Sequence, residues 1–535
     1  MNCYKSVVTD KLTTYIFKDR DSMGRAAAND GAAFIRQLLQ TQDYVNIIFA
    51  AAPSQNETLA HLVSSEGIDW TRVRAFHMDE YIGLPKQAPQ CFGNFLEAAI
   101  FSKLPFKEVH YLSEYPDAES VCREYTKLLE QYPVDIVFLG IGENAHIAFN
   151  DPHVADFNDP CKLKVVGLDQ TCRQQQVNDG CFASLDQVPT HAVTLTIPAL
   201  TAAKRMICTV PAPTKAAAAV KTMYGPICEA VPATIMRRHA NASMYLDADS
   251  GLNALFPVSV ITDEISQDVE IACQLADKHH LAAIEIRSVE DTAPEKLSDA
   301  QIEKILAVAA KYNLQISALC SSVLKCEQGM EDDAQLDAAL AVAKKLGCKL
   351  VRAFTYFKSD NYDEAALVAK LQKYGRVARE AGMVLAIENE PSVNASSGEK
   401  LAKLLDKVDR CNVGALWDPG NNLYGETEPG YPEGYEAVKA HIVHIHLKDA
   451  VRTESEAQGV ALCRGEADFG GLFRALLRDG YRGYVTLETH YKKHAAIDKE
   501  LMLRPGGSAF SEGGVESTDE CLENLFACLY KLIKE

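Results

Sequence analysis

Short, fully apolar runs alternate along this chain with stretches of helical period, and most of the apolar runs stop at a polar residue. In the first half, residues 23–39 read as an amphipathic helix, and residues 45–51 (VNIIFAA) as a buried strand running into Pro53, Ser54, Gln55 and Asn56. A helix is expected from about Glu57. The strand at 73–76 ends in His77, Met78, Asp79, Glu80 and Tyr81. A helix is expected around 95–101, and the strand at 134–139 runs into the loop from Gly140 to His146. Strands that alternate with helices and drop polar residues at their C-terminal ends predict an α/β, doubly wound parallel sheet with its site at those ends.

The second half repeats the alternation in a different count. Apolar runs at 258–261, 283–287, 315–319, 350–354, 383–388, 413–418, 441–449 and 484–488 are separated by amphipathic stretches such as 297–311, 333–346 and 364–381. Eight strands with intervening helices predict a (β/α)8 TIM barrel. Between the halves, residues 247–257 (DADSGLNALFP) are small and polar, with a glycine near the centre and a proline at the end. Domains are therefore expected at 1–250 and 257–535. No short-period repeat suggests a solenoid.

Composition narrows the partners. The chain has 535 residues, too many for one core, and its formal charge of −19 argues against nucleic acid, which needs a basic footprint. Sixteen cysteines form no C-x-x-C pair, which reads as reduced thiols. The N-terminal residues lack a signal-peptide pattern, and no apolar window approaches membrane-spanning length, so a cytoplasmic protein without a membrane partner is expected.

Candidate chemistry concentrates at strand ends. In HIVHIHLKD, Ile442, His444 and His446 share one face of a strand, so two imidazoles point the same way and the second reaches open chemistry at the strand's end. Runs MVLAIE, VGALWD and YVTLE stop at Glu388, Asp418 and Glu488. A polar residue at one strand end is unremarkable. Glu, Asp, His and Glu on four successive strands, at the face where barrels keep their chemistry, form a donor set of three carboxylates and one imidazole. That set suits one divalent metal ion: Mn, Mg, Co or Zn. Weaker candidates at other ends are Glu285, Arg287, Cys320, Ser321, Lys448, Asp449 and His490. The stretch 494–515, with Arg504, Gly506 and Gly507, reads as a long loop able to close over the mouth.

In the first half, FHMDEYIGL (76–84) and GIGENAHIAFNDP (140–152) resemble the glucosamine-6-phosphate deaminase/isomerase family, related to the 6-phosphogluconolactonases, and the likeness extends to about Leu246. The resemblance implies that Asp79 moves a proton between C1 and C2 of an amino sugar and that His146 helps open the ring; isomerisation with loss of ammonia needs a carboxylate and an imidazole in those places. Ser54, Glu80, Asn144, Asp151 and Lys215 are the accompanying candidates for substrate contact. The departures are specific. Where the family carries an aspartate two residues before the histidine and a glutamate after AFN, this chain has Asn144 and Asp151, and a neutral amide cannot stabilise an imidazolium as an anion does. The glycine-rich phosphate turn is replaced by Ser54, Gln55 and Asn56, with Glu57 placed to oppose a phosphate. Near the family's phosphate arginine the chain reads CRQQQ, with Arg173 and Gln176; Lys215 matches the other phosphate cation. An altered or missing phosphate pocket is expected, with no turnover of glucosamine 6-phosphate.

The motifs IENEP, WDPGN, HIHLKD and LETH resemble the xylose-isomerase-like barrels, a group of sugar isomerases and epimerases. The resemblance implies that Glu388, Asp418, His446 and Glu488 bind the metal, that Glu388 and Glu488 act as acid and base, and that Arg452 contacts substrate oxygens. Asn421 stands where some epimerases have a histidine. The function expected is a bifunctional carbohydrate enzyme, a deaminase/isomerase-like half fused to a metal-dependent sugar isomerase or epimerase. The alternative keeps the barrel chemistry and makes the first half a sugar-binding or oligomerising module. Both readings take small sugars or amino sugars, free or phosphorylated, and the families' habits imply a homo-oligomer.

Overall fold

In the computed structural model of the protein, which describes residues 3–115, 117–425, 430–453, 456–495, 497 and 506–535, the chain forms two units, Met1–Leu255 and Phe256–Ile533. The strands of the first unit are β1 (Lys5–Thr9), β2 (Leu12–Ile16), β3 (Val45–Phe49), β4 (Val73–His77), β5 (Asp79–Tyr81), β6 (Glu108–His110), β7 (Ile136–Leu139), β8 (Leu163–Gly167), β9 (His191–Leu195), β10 (Arg205–Val210) and β11 (Ala242–Leu246). The main sheet runs β1-β2-β11-β10-β7-β3-β4-β6. All its ladders are parallel except the edge hairpin β1–β2. β3 and β7 are buried at every position because helices cover parallel strands on both faces, so their sequences are continuously apolar.

A feature the periodicity did not announce is a small antiparallel sheet, β5-β9-β8. β4 ends at His77, and after Met78 the chain re-enters a sheet at once, pairing Asp79 with Thr194. This buries Asp79, whereas a loop at the end of β4 would leave it in water.

The second unit contains β12 (Val258–Val260), β13 (Ala283–Ile286), β14 (Gln315–Val323), β15 (Leu350–Ala353), β16 (Val384–Glu388), β17 (Val413–Trp417), β18 (Ile442–Leu447), β19 (Asp449–Arg452), β20 (Ala457–Val460) and β21 (Val485–Leu487). Eight of them form the parallel order β12-β21-β18-β17-β16-β15-β14-β13, and a single parallel bridge between Ile261 and Glu285 nearly closes the ring. This is the TIM-barrel architecture the alternation predicts. Helices Asp299–Lys311, Asp333–Leu346 and Glu364–Glu380 fall where their periodicity places them. The hairpin β19–β20 was not foreseen. In the stretch 494–515, Gly507–Ser511 is a helix and another begins at Gly514. Arg504 lies outside the described residues. Among the described residues no helix is long and apolar enough to cross a membrane.

Candidate functional sites

Each strand end delivers its side chain for a local reason. Glu388 closes β16 and Asp418 follows β17; His446 is the next-to-last residue of β18, and Glu488 follows β21. Parallel pairing in order β21-β18-β17-β16 brings the four ends side by side. One ligand atom from each of the four lies within 4.8 Å of the others, and all four residues are buried. His446 is fully buried, not open to solvent as its place near the strand end suggested.

The carboxylates share a pattern. Glu388 Oε2 accepts from Arg352 Nη1 at 2.9 Å, while Oε1 faces His446 Nδ1 at 3.7 Å. Glu488 Oε1 accepts from Arg287 Nη1 at 2.8 Å; Oε2 accepts from Lys448 Nζ at 2.8 Å and lies 3.5 Å from His446 Nδ1. Asp418 Oδ1 accepts from the backbone of Gly420 and Asn421, at 2.8 and 3.3 Å. A side chain at Gly420 would collide with the Lys448 carbonyl, 2.2 Å from an added Cβ, so the turn that fixes Asp418 needs glycine.

Burial pushes the Asp418 carboxyl up, to about 7, only partly offset by Lys448 and reinforced by Glu488 and Glu388. Burial alone would also raise Glu388, but Arg352 and then His446 outweigh it and hold that group at about 2.

Below the cage, Glu285 accepts from both histidines: Oε1 lies 2.9 Å from His446 Nε2, and Oε2 lies 2.9 Å from His444 Nε2. The two imidazoles outweigh burial and hold Glu285 well below the usual carboxylate range. With Nε2 committed, Nδ1 of His446 is the nitrogen turned toward the acids. His446 Nδ1 and Asp418 Oδ2 are buried and make no hydrogen bond among the described residues; Lys448 Nζ lies 3.1 Å from the latter without hydrogen-bonding geometry. A buried nitrogen and a buried oxygen left over, facing two further acids, are what a metal-ligating set presents. The residues fit a divalent ion. Replacing Glu285 with glutamine removes the anion that orients both rings. Mn²⁺ affinity, read by EPR, is expected to fall about 10- to 100-fold; unchanged affinity would show that His446 needs no such support.

The cage opens into a cavity of about 1110 Å³ whose walls include Glu388, Glu488, Asn421, Lys448 and His490. Asn421 Nδ2 donates to Asn389 O at 2.7 Å and sits 3.4 Å from Glu388 Oε1. The structure does not bring Arg452 there. The β19–β20 hairpin turns it to Glu466, with Nε 2.9 Å from Oε2, beside a separate small cleft. Asp449 is likewise a strut, accepting from the backbone of Ala450, Gly465 and Ala467. Cys320 donates to Glu285, and Ser321 to the Arg352 carbonyl. Arg287 joins Asp263, Glu264 and Glu488 in one buried network, and His490 Nδ1 lies 3.0 Å from Glu264.

In the first unit, a cavity of about 90 Å³ is lined by Asp79, His146, Ser54, Gln176, Lys215 and Arg20, among others. Burial, then repulsion from Glu80, pushes Asp79 well above the usual carboxylate range. Glu80 is not among the residues that line this cavity; it accepts from the backbone of Tyr81, Phe92 and Gly93. The loop carrying His146 is tightly wound: the imidazole lies where a side chain at Gly142 would be, 2.2 Å from an added Cβ, and Ala145 and Ala148 have positive φ.

The sequence suggested that His146 had lost its anion. The structure corrects this: Nδ1 lies 2.8 Å from Asn144 Oδ1 and 2.9 Å from Asp151 Oδ1, so Asp151 itself supplies the negative charge. Asn144 clamps the arrangement by donating to Asp151 and Asp169. Burial alone would raise Asp151, but His146 outweighs it and the group is lowered.

At the anion end, Glu57 is tied off by Arg20, Nε to Oε1 at 3.0 Å. Arg173 is spent on the carbonyls of Leu185 and Val188, and Gln176 lines the cavity instead. Lys215 is 5% exposed, its Nζ has no hydrogen-bond partner among the described residues, and burial pulls its pKa down.

The model of the glucosamine-6-phosphate isomerases/6-phosphogluconolactonase family matches residues 18–245, and that of the xylose isomerase-like TIM barrel matches residues 273–506. A glucosamine-6-phosphate deaminase of Bacillus thuringiensis (strain Al Hakam) is 31% identical over 224 residues, which are 42% of this chain and 83% of the relative. Among solved structures, a xylose isomerase domain protein from Planctomyces limnophilus covers 52% of this chain and 98% of its own, at 19% identity and a TM-score of 0.41. D-allulose 3-epimerase from Methylomonas sp. covers 51% and 98%, at 18% identity and a TM-score of 0.41.

Proposed function

We propose that this chain, which belongs through its first unit to the glucosamine-6-phosphate isomerase/6-phosphogluconolactonase family and carries a xylose isomerase-like TIM barrel as its second, is an enzyme of sugar metabolism with two chemical sites. The observation that carries the reading of the barrel is the pair of leftover buried donors, His446 Nδ1 and Asp418 Oδ2, turned toward Glu388 and Glu488. Glu388, Asp418, His446 and Glu488 would hold one divalent ion, which supplies Lewis-acid polarisation of a carbonyl and its neighbouring hydroxyl. Glu388 and Glu488, on separate strands, take up and return the carbon-bound proton of the sugar, so isomerisation or epimerisation is the reaction class. Lys448 and Arg287 hold Glu488, and Arg352 holds Glu388, in the ionised form that accepts a proton.

In the first unit Asp79 is the proton carrier between C1 and C2 of an amino sugar, and His146, with Asp151 behind it, protonates the ring oxygen during opening. The contact of His146 Nδ1 with the Asp151 carboxylate, at 2.9 Å, favours catalysis over the reading as a binding module. The replaced anion turn and Gln176 point to an amino sugar other than glucosamine 6-phosphate. Ammonia release from a panel of free and phosphorylated amino sugars tests this. Turnover of at least one is expected, with glucosamine 6-phosphate not the preferred one. Preference for glucosamine 6-phosphate would sink the reading of the anion end, and no ammonia from any sugar would return the first unit to a binding role.

A further inference from the structure

Two ammonium groups in the barrel cavity have no hydrogen-bonded partner among the described residues, and the proton chemistry above uses neither. Lys325 follows β14, with only 10% of its side chain exposed. The one carboxylate within 4 Å of it among the described residues is that of Glu390, whose Oε2 is 3.7 Å away, beyond hydrogen-bond reach. That oxygen is already taken by the backbone N–H and hydroxyl of Ser392. Lys325 Nζ also lies 4.8 Å from the centre of the Phe354 ring. Lys492 Nζ is buried, has no hydrogen-bond partner among the described residues, and lies 5.3 Å from the centre of the Phe510 ring. The contrast with the other cations is clear: Lys448 and Arg352 are each hydrogen-bonded to a carboxylate.

A buried ammonium without an acceptor is costly, and three N–H donors aimed into a cavity want an acceptor from outside the chain. The acids at the base of the cavity are already engaged by other cations: Glu388 by Arg352, and Glu488 by Lys448 and Arg287. Burial pushes the Lys325 pKa down, and an anion beside it would push it back up.

We propose that the barrel site takes a sugar bearing an oxyanion, a phosphate ester or a carboxylate, and that Lys325 is the residue that binds this group. The proposal rests on the reading of the barrel as a sugar site. It differs from a structural role for Lys325 beside Glu390, in which the lysine would matter for stability and not for anions.

The test uses the full chain carrying Lys215→Gln, which removes the cation of the first unit's cavity. Inorganic phosphate and gluconate are each titrated calorimetrically, with and without Mn²⁺, and Mn²⁺ binding is read separately by EPR. At least one of the two anions is expected to bind. Adding Lys325→Gln weakens that binding by about tenfold or more and leaves the EPR-read Mn²⁺ affinity unchanged; Lys325→Arg, which keeps the charge, retains most of the binding. Phosphate alone assigns the group to a phosphate ester, and gluconate alone to a carboxylate. Binding of neither, or binding that Lys325→Gln leaves intact, overturns the proposal. Loss of Mn²⁺ binding alone overturns the metal reading and leaves the anion titrations in metal-free protein to decide on Lys325.

Discussion

Glu488→Gln is expected to lower the barrel's isomerase or epimerase turnover by about three orders of magnitude, the scale of a lost general acid–base group, while ammonia release by the first unit continues unchanged. Three roles meet at this carboxylate. Its Oε2 faces His446 Nδ1, its charge holds Lys448 and Arg287, and it is one of two carboxylates in the cage without a backbone anchor. An amide keeps the shape and one acceptor oxygen but neither carries charge nor takes a proton.

The fold should survive the change. Arg287 retains Asp263 and Glu264, and Lys448 retains Asp418, so neither buried cation is stranded. An unfolding midpoint near that of the wild type, together with lost turnover, separates chemistry from stability. Turnover within a few-fold of wild type, in protein that binds Mn²⁺, would remove Glu488 from the proton-transfer role.

The grouping of Glu388, Asp418, His446 and Glu488 was legible because each stands at or near the end of a largely apolar run. That signal survives in a linear sequence because parallel barrel strands are buried on both sides, and only their ends meet the cavity. The groups that tune the cage were less legible. Arg352 sits inside β15 and Glu285 inside β13, and nothing in their neighbourhoods tells that one reaches Glu388 and the other both histidines. Those contacts depend on which strand lies beside or across from which.

Arg452 illustrates the opposite error. The resemblance to the xylose-isomerase-like barrels implied a substrate contact for it, but four residues of hairpin turn it to Glu466. Asn144 shows a third kind of miss. Read alone, it looked like a lost anion, yet the loop's positive-φ residues fold Asp151 back onto the same imidazole nitrogen. A substitution at one position is misjudged when its neighbour in space is five or more residues away in sequence.

Asp79→Asn is expected to lower ammonia release by about three orders of magnitude with the barrel reaction untouched, and its pH profile distinguishes a proton carrier from a turn-capping residue. Burial first, and Glu80 second, favour the neutral form of Asp79, so it binds its proton at higher pH than an ordinary carboxylate. The ionised form is the base. Activity therefore falls as pH drops through the raised value, and the acid limb of kcat/KM should stand well above the usual carboxylate range. Glu80→Gln is expected to shift that limb. Removing a neighbouring negative charge makes ionisation of Asp79 easier, which lowers its pKa and moves the acid limb to lower pH. The glutamine's carbonyl oxygen can keep the N–H groups of Tyr81 and Phe92, which Oε1 accepts, while the Gly93 N–H loses Oε2, so an unfolding midpoint near that of the wild type must accompany the profile. An acid limb that does not move, or that moves upward, would mean that another group carries the proton and that Asp79 is buried for architecture alone.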